Sequence, residues 1–260
     1  NISFNEEGSL NRSFIVKDGY VYLAGRTESS SYATVYLRVF NGSTGEHIED
    51  KYIYNSSSTS IYPCNTITKD SKGNVCIANM STQIDVKAIV VNYVDVKTGW
   101  AEELCRLTCP DGGRADNISI YGDVRADKYY VFAAIKGSNR VLRWTVEGDS
   151  CTMEECALRS FYPASASSLG TAPLVIPITE NDILVDGAST YLTRYDFSTG
   201  KITEPFEEFR RAYDIVFAEY RRNGFRVGIL GDFNVHSEIV GNNTRKVKGI
   251  GDDILGFSFP

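Results

Sequence analysis

Histidine is nearly absent from this chain: His47 and His236 are the only two among its 260 residues. That scarcity excludes metal centres and catalytic arrangements that draw on several imidazoles, and no His-Glu-x-x-His, Gly-x-Ser-x-Gly or phosphate-loop pattern occurs. A basic excess is missing too. With 27 Lys and Arg against 33 Asp and Glu, the net charge is −6, so little is available to displace counterions from phosphates, and a nucleic-acid partner is not expected. Arg210, Arg211, Arg221 and Arg222 do cluster, but Glu204, Glu207, Glu208 and Glu219 lie among them and make a solvated mixed-charge face. No run approaches the roughly 18 apolar residues of a membrane helix, so no transmembrane segment is expected in this chain. Asn1, where Met would stand, predicts processing or trimming at the start, with any signal segment outside this sequence.

Apolar residues are plentiful, at 42% of the chain, and aromatics reach 12%, enough for a sizeable core in a soluble globular protein. Their spacing is the first informative feature. β-branched and aromatic residues alternate with period two in short segments punctuated by glycine, which argues for strands over helices. The clearest turn is Tyr195-Asp196-Phe197-Ser198-Thr199-Gly200-Lys201. Its aspartate can accept a backbone N–H two residues on, and its glycine can take the positive φ that ends such a loop. The same hairpin recurs at Phe40 to Gly45, at Val94 to Gly99 and, degenerately, at Trp144 to Gly148. The closing glycines are separated by 54, 49 and 52 residues, which places a further copy near Lys248-Gly249-Ile250-Gly251.

Five periods of about 52 residues, each with four strand-like segments, predict an all-β fold: a single β-propeller of about five four-stranded blades. The blades are expected near residues 12–55, 64–108, 117–160, 173–208 and 212–260, with closure through 254–259 or 2–5. A pair of two-sheet sandwiches would explain the strands but not the period.

The Asp-x-x-Thr-Gly turns and Lys69-Asp70-Ser71-Lys72-Gly73-Asn74-Val75-Cys76-Ile77-Ala78 resemble the degenerate repeats of bacterial quinoprotein-like and NHL-like propellers. As a whole the chain resembles exported, lipoprotein-type propellers of gut bacteria of undefined function. That resemblance implies export to the periplasm or cell surface, with any lipid anchor on a segment not in this sequence.

The six cysteines are compatible with export. Cys105 and Cys109 lie near the end of one repeat, Cys151 and Cys156 at the same stage of the next. Two short disulfides, one bridge linking neighbouring repeats, and free thiols all remain open. Zinc is disfavoured by the spacing and by the lack of nearby histidine. No cofactor or metal is predicted. Seven Asn-x-Ser/Thr sequons, at Asn1, Asn11, Asn41, Asn55, Asn79, Asn117 and Asn242, are of a number that chance produces in a Ser- and Asn-rich chain.

Function is expected on the longer loops, which join second to third strands and blade to blade. Two Tyr-Pro steps, Tyr62-Pro63 and Tyr162-Pro163, lie 100 residues apart, nearly two periods, and offer stiff aromatic plates. The second-to-third-strand loops add Arg26, Tyr32, Gln83, Asp85, Lys136, Asn139, Arg140 and Asp186. Arg26, Tyr32, Tyr62, Arg140, Tyr162 and Asp186 are the predicted ligand-binding residues, suited to a glycan or protein ligand. The competing reading of the same residues is an inter-blade cover and an ordinary wet surface. A carboxylate-dependent hydrolase or lyase acting on a polysaccharide at the channel mouth is the alternative, with Asp85, Asp123, Asp186 and Asp214 as candidate members. Gly231-Asp232-Phe233-Asn234 resembles a segment of the endonuclease/exonuclease/phosphatase family, but that family's other motifs are missing. The oligomeric state is left open.

Overall fold

A computed structural model of the chain describes residues 11–28, 32–81, 88–110 and 113–205. These residues contain no helix and form sixteen strands in four sheets. Blade 1 comprises β1 (Asn11–Lys17), β2 (Tyr20–Arg26), β3 (Val35–Asn41) and β4 (His47–Tyr52). Blade 2 comprises β5 (Thr66–Lys69), β6 (Val75–Ala78), β7 (Ala88–Val94) and β8 (Ala101–Thr108). Blade 3 comprises β9 (Ser119–Gly122), β10 (Lys128–Ala134), β11 (Arg140–Glu147) and β12 (Ser150–Ala157). Blade 4 comprises β13 (Leu174–Pro177), β14 (Asp182–Gly187), β15 (Thr190–Asp196) and β16 (Lys201–Pro205). Every sheet is an antiparallel meander in chain order.

The fold is a β-propeller, with four blades among the described residues where the sequence period predicts about five. The predicted fifth blade, 212–260, lies outside the described residues, as do the closing segments 2–5 and 254–259.

Alternation decides what each blade buries. Ile15, Tyr22, Ala24, Leu37 and Val39 of blade 1 meet Ile67, Val75, Ile77 and Val94 of blade 2. The next interface joins Cys76, Ile89, Val91 and Leu107 to Val131, Leu142, Trp144 and Val146. The third joins Phe132, Ala134, Val141 and Leu158 to Val175, Ile183, Val185 and Tyr195. Trp144 is the largest buried side chain, 1% exposed, and its indole N–H still donates to the Thr108 carbonyl at 3.3 Å. A tryptophan in a core needs such a partner. Asn11, Asn79 and Asn117 are buried, so three of the sequons are inaccessible in the folded chain.

Polar turns lock the blades on one side, at the β1–β2 turn and its equivalents. Asp70, 6% exposed, accepts from the Lys72 and Asn74 N–H groups, both at 2.8 Å, and from the Asn74 side chain at 2.7 Å. Its other oxygen also accepts from the Val124 N–H of blade 3 at 2.9 Å. Asn74 reaches Asp123 at 3.0 Å.

The Thr-Gly hairpins make a second kind of lock, because blade twist brings each outer strand's end against the hairpin of the next blade. Tyr54 N–H donates to Gly99 O, and Arg159 N–H to Gly200 O, both at 2.9 Å. A Cβ at Gly99 would stand 2.4 Å from Tyr52 O, and one at Gly200 2.2 Å from Ala157 O. These glycines are therefore required twice over, by positive φ and by the approach of the preceding blade. Asp196 Oδ1 accepts the Thr199 N–H at 2.9 Å, three residues on, while the bond to the N–H two residues on appears in the equivalent hairpin of blade 2, from Lys97 N–H to Asp95 Oδ1 at 2.9 Å.

Candidate functional site

The antiparallel meander puts the β2–β3 loops and the blade-to-blade connections together at the end of the inner strands opposite the Asp70 lock. Arg26, at the end of β2, is 2% exposed. Its Nη1 donates to the Cys64 carbonyl at 2.8 Å, and its guanidinium carbon lies 5.0 Å from the ring centroid of Tyr62. The connection between blades 1 and 2 thus folds its aromatic plate over a cation from blade 1. Arg26 is desolvated but Tyr62 only half-buried, and a pair of this kind is worth about 1 kcal/mol. Two of the predicted residues, from loops 36 residues apart, are brought together here.

The cation has a second cation beside it. Arg12, at the start of β1, donates from Nε to Asn65 Oδ1 at 2.9 Å. Asn65 passes the contact on, donating to the Asp116 carbonyl at 2.6 Å, and the buried Asp116 carboxylate accepts from Arg114 Nε at 2.7 Å. Burial, and after it the positive charge of Arg12, lowers the Arg26 pKa below the usual guanidinium value. The Cys64 thiol is pushed up to about 12 by burial. Beside this pair, the Tyr36 hydroxyl donates to Asn11 Oδ1 at 3.1 Å, and Asn11 Nδ2 is buried with no hydrogen-bond partner.

The other predicted residues fall on separate positions. Tyr32 projects from the β2–β3 loop of blade 1, 92% exposed. Tyr162, on the connection into blade 4, lies with its ring 5.6 Å from that of Tyr191, whose N–H donates to the Tyr162 carbonyl at 2.7 Å. Arg140 is turned inward to its own blade, where Glu155 holds it bidentately at 2.7 and 2.6 Å. Asp186, at the end of β14, is half-buried and accepts the Gly187 N–H at 2.8 Å. Burial raises its pKa to about 6.

Of the other candidate carboxylates, Asp123 belongs to the Asp70 lock, and Asp85 and Asp214 lie outside the described residues. Gln83 and the Gly-Asp-Phe-Asn segment 231–234 lie outside them as well. Asn139 is structural, donating to the Leu158 carbonyl at 3.0 Å. A cleft of about 220 Å³ on blade 4, lined by Asn181, Asp182, Arg194, Asp196 and Thr203, is spanned by the Arg194–Asp182 ion pair and stands apart from the Arg26–Tyr62 pair.

Arg12, Asn65 and Asp116 escape a motif search, yet the repeat carries a signal for them. Residues 12, 65 and 116 lie 53 and 51 residues apart, about one period, and each stands at or just before the start of an inner strand. A polar residue at that phase in successive blades marks the loop-bearing end.

No protein-family model and no curated protein matches the chain. Solved structures do. A DUF4623 family protein from Bacteroides eggerthii superimposes with a TM-score of 0.55 at 15% identity, over 75% of this chain and 44% of that one. A GH32 β-fructofuranosidase of Bombyx mori gives a TM-score of 0.41 at 11% identity, over 76% of this chain and 48% of that one. A protein of unknown function from Dyadobacter fermentans gives 0.35 at 10% identity, over 75% and 81%. At these identities the likeness is one of fold. The chain spans less than half the length of the first two structures it matches. Among the described residues no helix is long and apolar enough to cross a membrane.

Proposed function

We propose that the protein is a non-catalytic binding module of an exported, lipoprotein-type propeller, which contacts a glycan or protein with its loop-bearing end. The observation that carries this reading is the Arg26–Tyr62 stack with Arg12 at its side. An aromatic plate held flat by a buried cation keeps one face for a sugar ring or an apolar side chain. Two neighbouring guanidiniums raise each other's electrostatic energy, so a ligand bringing an acidic group gains most there. Tyr162 and Tyr191 supply a second aromatic surface on blade 4. The test is a screen against arrayed neutral and acidic polysaccharides, followed by titration of any hit. Tyr62→Ala combined with Tyr162→Ala is expected to weaken the hit at least tenfold, and an unchanged affinity overturns the assignment.

Asp186 favours a second reading, a hydrolase or lyase acting on a polysaccharide. Its raised pKa suits a general acid in mildly acidic solution. Glycoside hydrolysis by two carboxylates needs a partner roughly 5–9.5 Å away. Turnover of a polysaccharide that Asp186→Asn abolishes would replace the binding-module reading with this one.

A further inference from the structure

The two short disulfides considered from the sequence are excluded by strand geometry. Cys105 and Cys109 lie four residues apart along one extended segment, and Cys151 and Cys156 five apart along β12. At about 3.3 Å per residue their Cα atoms are roughly 13 Å or more apart, whereas a disulfide needs less than about 7 Å. The remaining pairings cross between strands, and the register selects one. In blade 3, Tyr129 stands opposite Val146, and Val146 opposite Cys151. Residues in one such row share a face, and Tyr129 and Val146 belong to the core between blades 2 and 3. In blade 2, Cys105 stands opposite Val91, a member of that same core, and packs against it. The two thiols therefore look toward each other from the outer strands, β8 and β12, across one interface.

Tyr129 hydrogen-bonds the Cys105 thiol, and Cys151 lies near enough to act electrostatically on both. The other cysteines are differently placed. Cys76 and Cys109 are buried, 0% and 2% exposed, Cys64 lies in the core between blades 1 and 2, and Cys156 in that between blades 3 and 4. Cys151 is exposed and Cys105 half-buried, so this pair combines a shared interface with access to solvent.

We propose that Cys105 and Cys151 form an oxidation site, at which a disulfide joins the outer strands of blades 2 and 3. The oxidant is a disulfide, either a small one such as oxidised glutathione or that of a thiol oxidoreductase. The Cys151 thiolate attacks one of its sulfurs, forming a mixed disulfide and releasing one thiol. The Cys105 thiolate then attacks the Cys151 sulfur, closing the bridge and releasing the second thiol. Two protein thiols are oxidised by two electrons, and the disulfide oxidant is reduced to two thiols. Burial pushes the Cys105 thiol up to about 12 and raises that of Cys151, so the exchange is slow at neutral pH and faster in mild alkali. A bond between adjacent sheets of one domain has a precedent in immunoglobulin sandwiches. The inference stands independently of the ligand-binding reading.

The test incubates the folded full chain with oxidised glutathione at mildly alkaline pH, blocks free thiols, and maps peptides without reduction. The expected product joins the Cys105 and Cys151 peptides with the loss of two hydrogens, and melts about 5–10 °C above the reduced protein. Dithiothreitol reverses both changes, and Cys151→Ser, at an exposed position, melts like the reduced wild type and forms no bridge. A persistent glutathione adduct on Cys151, a Cys151–Cys151 dimer, a different pairing, or six thiols still free after oxidation would each overturn the proposal.

Discussion

The two ends of the inner strands both carry polar and charged side chains and use them differently. At the short-turn end, Asp70, Asn74 and Asp123 satisfy one another and the N–H groups of the adjoining blade. Both Asp70 oxygens and Asp123 Oδ1 have donors from the turns or across the two blades. At the loop-bearing end, burial and the nearby Arg12 disfavour the charge of Arg26, an aromatic ring covers it, and Asp186 is raised by burial with a single backbone donor. The lesson is that similar polarity can serve opposite purposes. One end spends its polar groups on holding blades in register; the other keeps electrostatic tension that a ligand can relieve.

This contrast can be broken most severely at the lock. Asp70→Ala leaves several donors without their acceptor and is expected to destabilise the fold by about 3 kcal/mol, read by denaturant unfolding. Any ligand bound at the far end should still bind in the fraction that remains folded. Gly200→Ala, which drives a methyl toward Ala157 O at a positive-φ position, should cost about 2–3 kcal/mol in the same measurement, and Gly99→Ala a similar amount.

At the loop-bearing end the expected effects are smaller and depend on pH. The folded-state pKa of Asp186, about 6, lies above the ordinary aspartate value near 3.9, so the fold prefers its protonated form. The stability it contributes is full below about pH 4 and is lost as pH rises through 6. Asp186→Asn keeps the acceptor and removes the charge. It should match the wild type at pH 4 and exceed it by up to ~2 kcal/mol at pH 8, as thermal melts across that range would show. The smallest change in stability, about 1 kcal/mol, is expected for Tyr62→Ala. If that variant unfolded as readily as Asp70→Ala, the distinction between the two ends would collapse.

Much of the architecture is legible in the sequence because its cause is local. Gly45, Gly99, Gly148 and Gly200 repeat for a physical reason, the positive φ that closes a hairpin. The four strand-like segments expected in each period appear as four strands in each of the four described sheets. Side-chain partners are harder to foresee because they depend on register and on neighbouring blades. Arg140 reads as a loop cation in the sequence, but Glu155, brought alongside only once the Gly148 hairpin is paired, claims it. Tyr191 escapes sequence reading as the partner of Tyr162, since nothing local marks a strand residue that a distant connection will cover. Arg26 and Tyr62 stand out singly, and the contact that makes them a unit is tertiary.

The hairpin locks carry one more implication. Gly99 and Gly200 each receive a hydrogen bond from the strand that ends the blade before, and the Asp70 contacts likewise join a blade to its immediate successor. Cohesion of this nearest-neighbour kind resembles that of a linear repeat array. Under a stretching force applied to the chain ends, the blades would peel away in succession, each releasing a length of roughly 170 Å, the contour of a single repeat at the extended backbone rise.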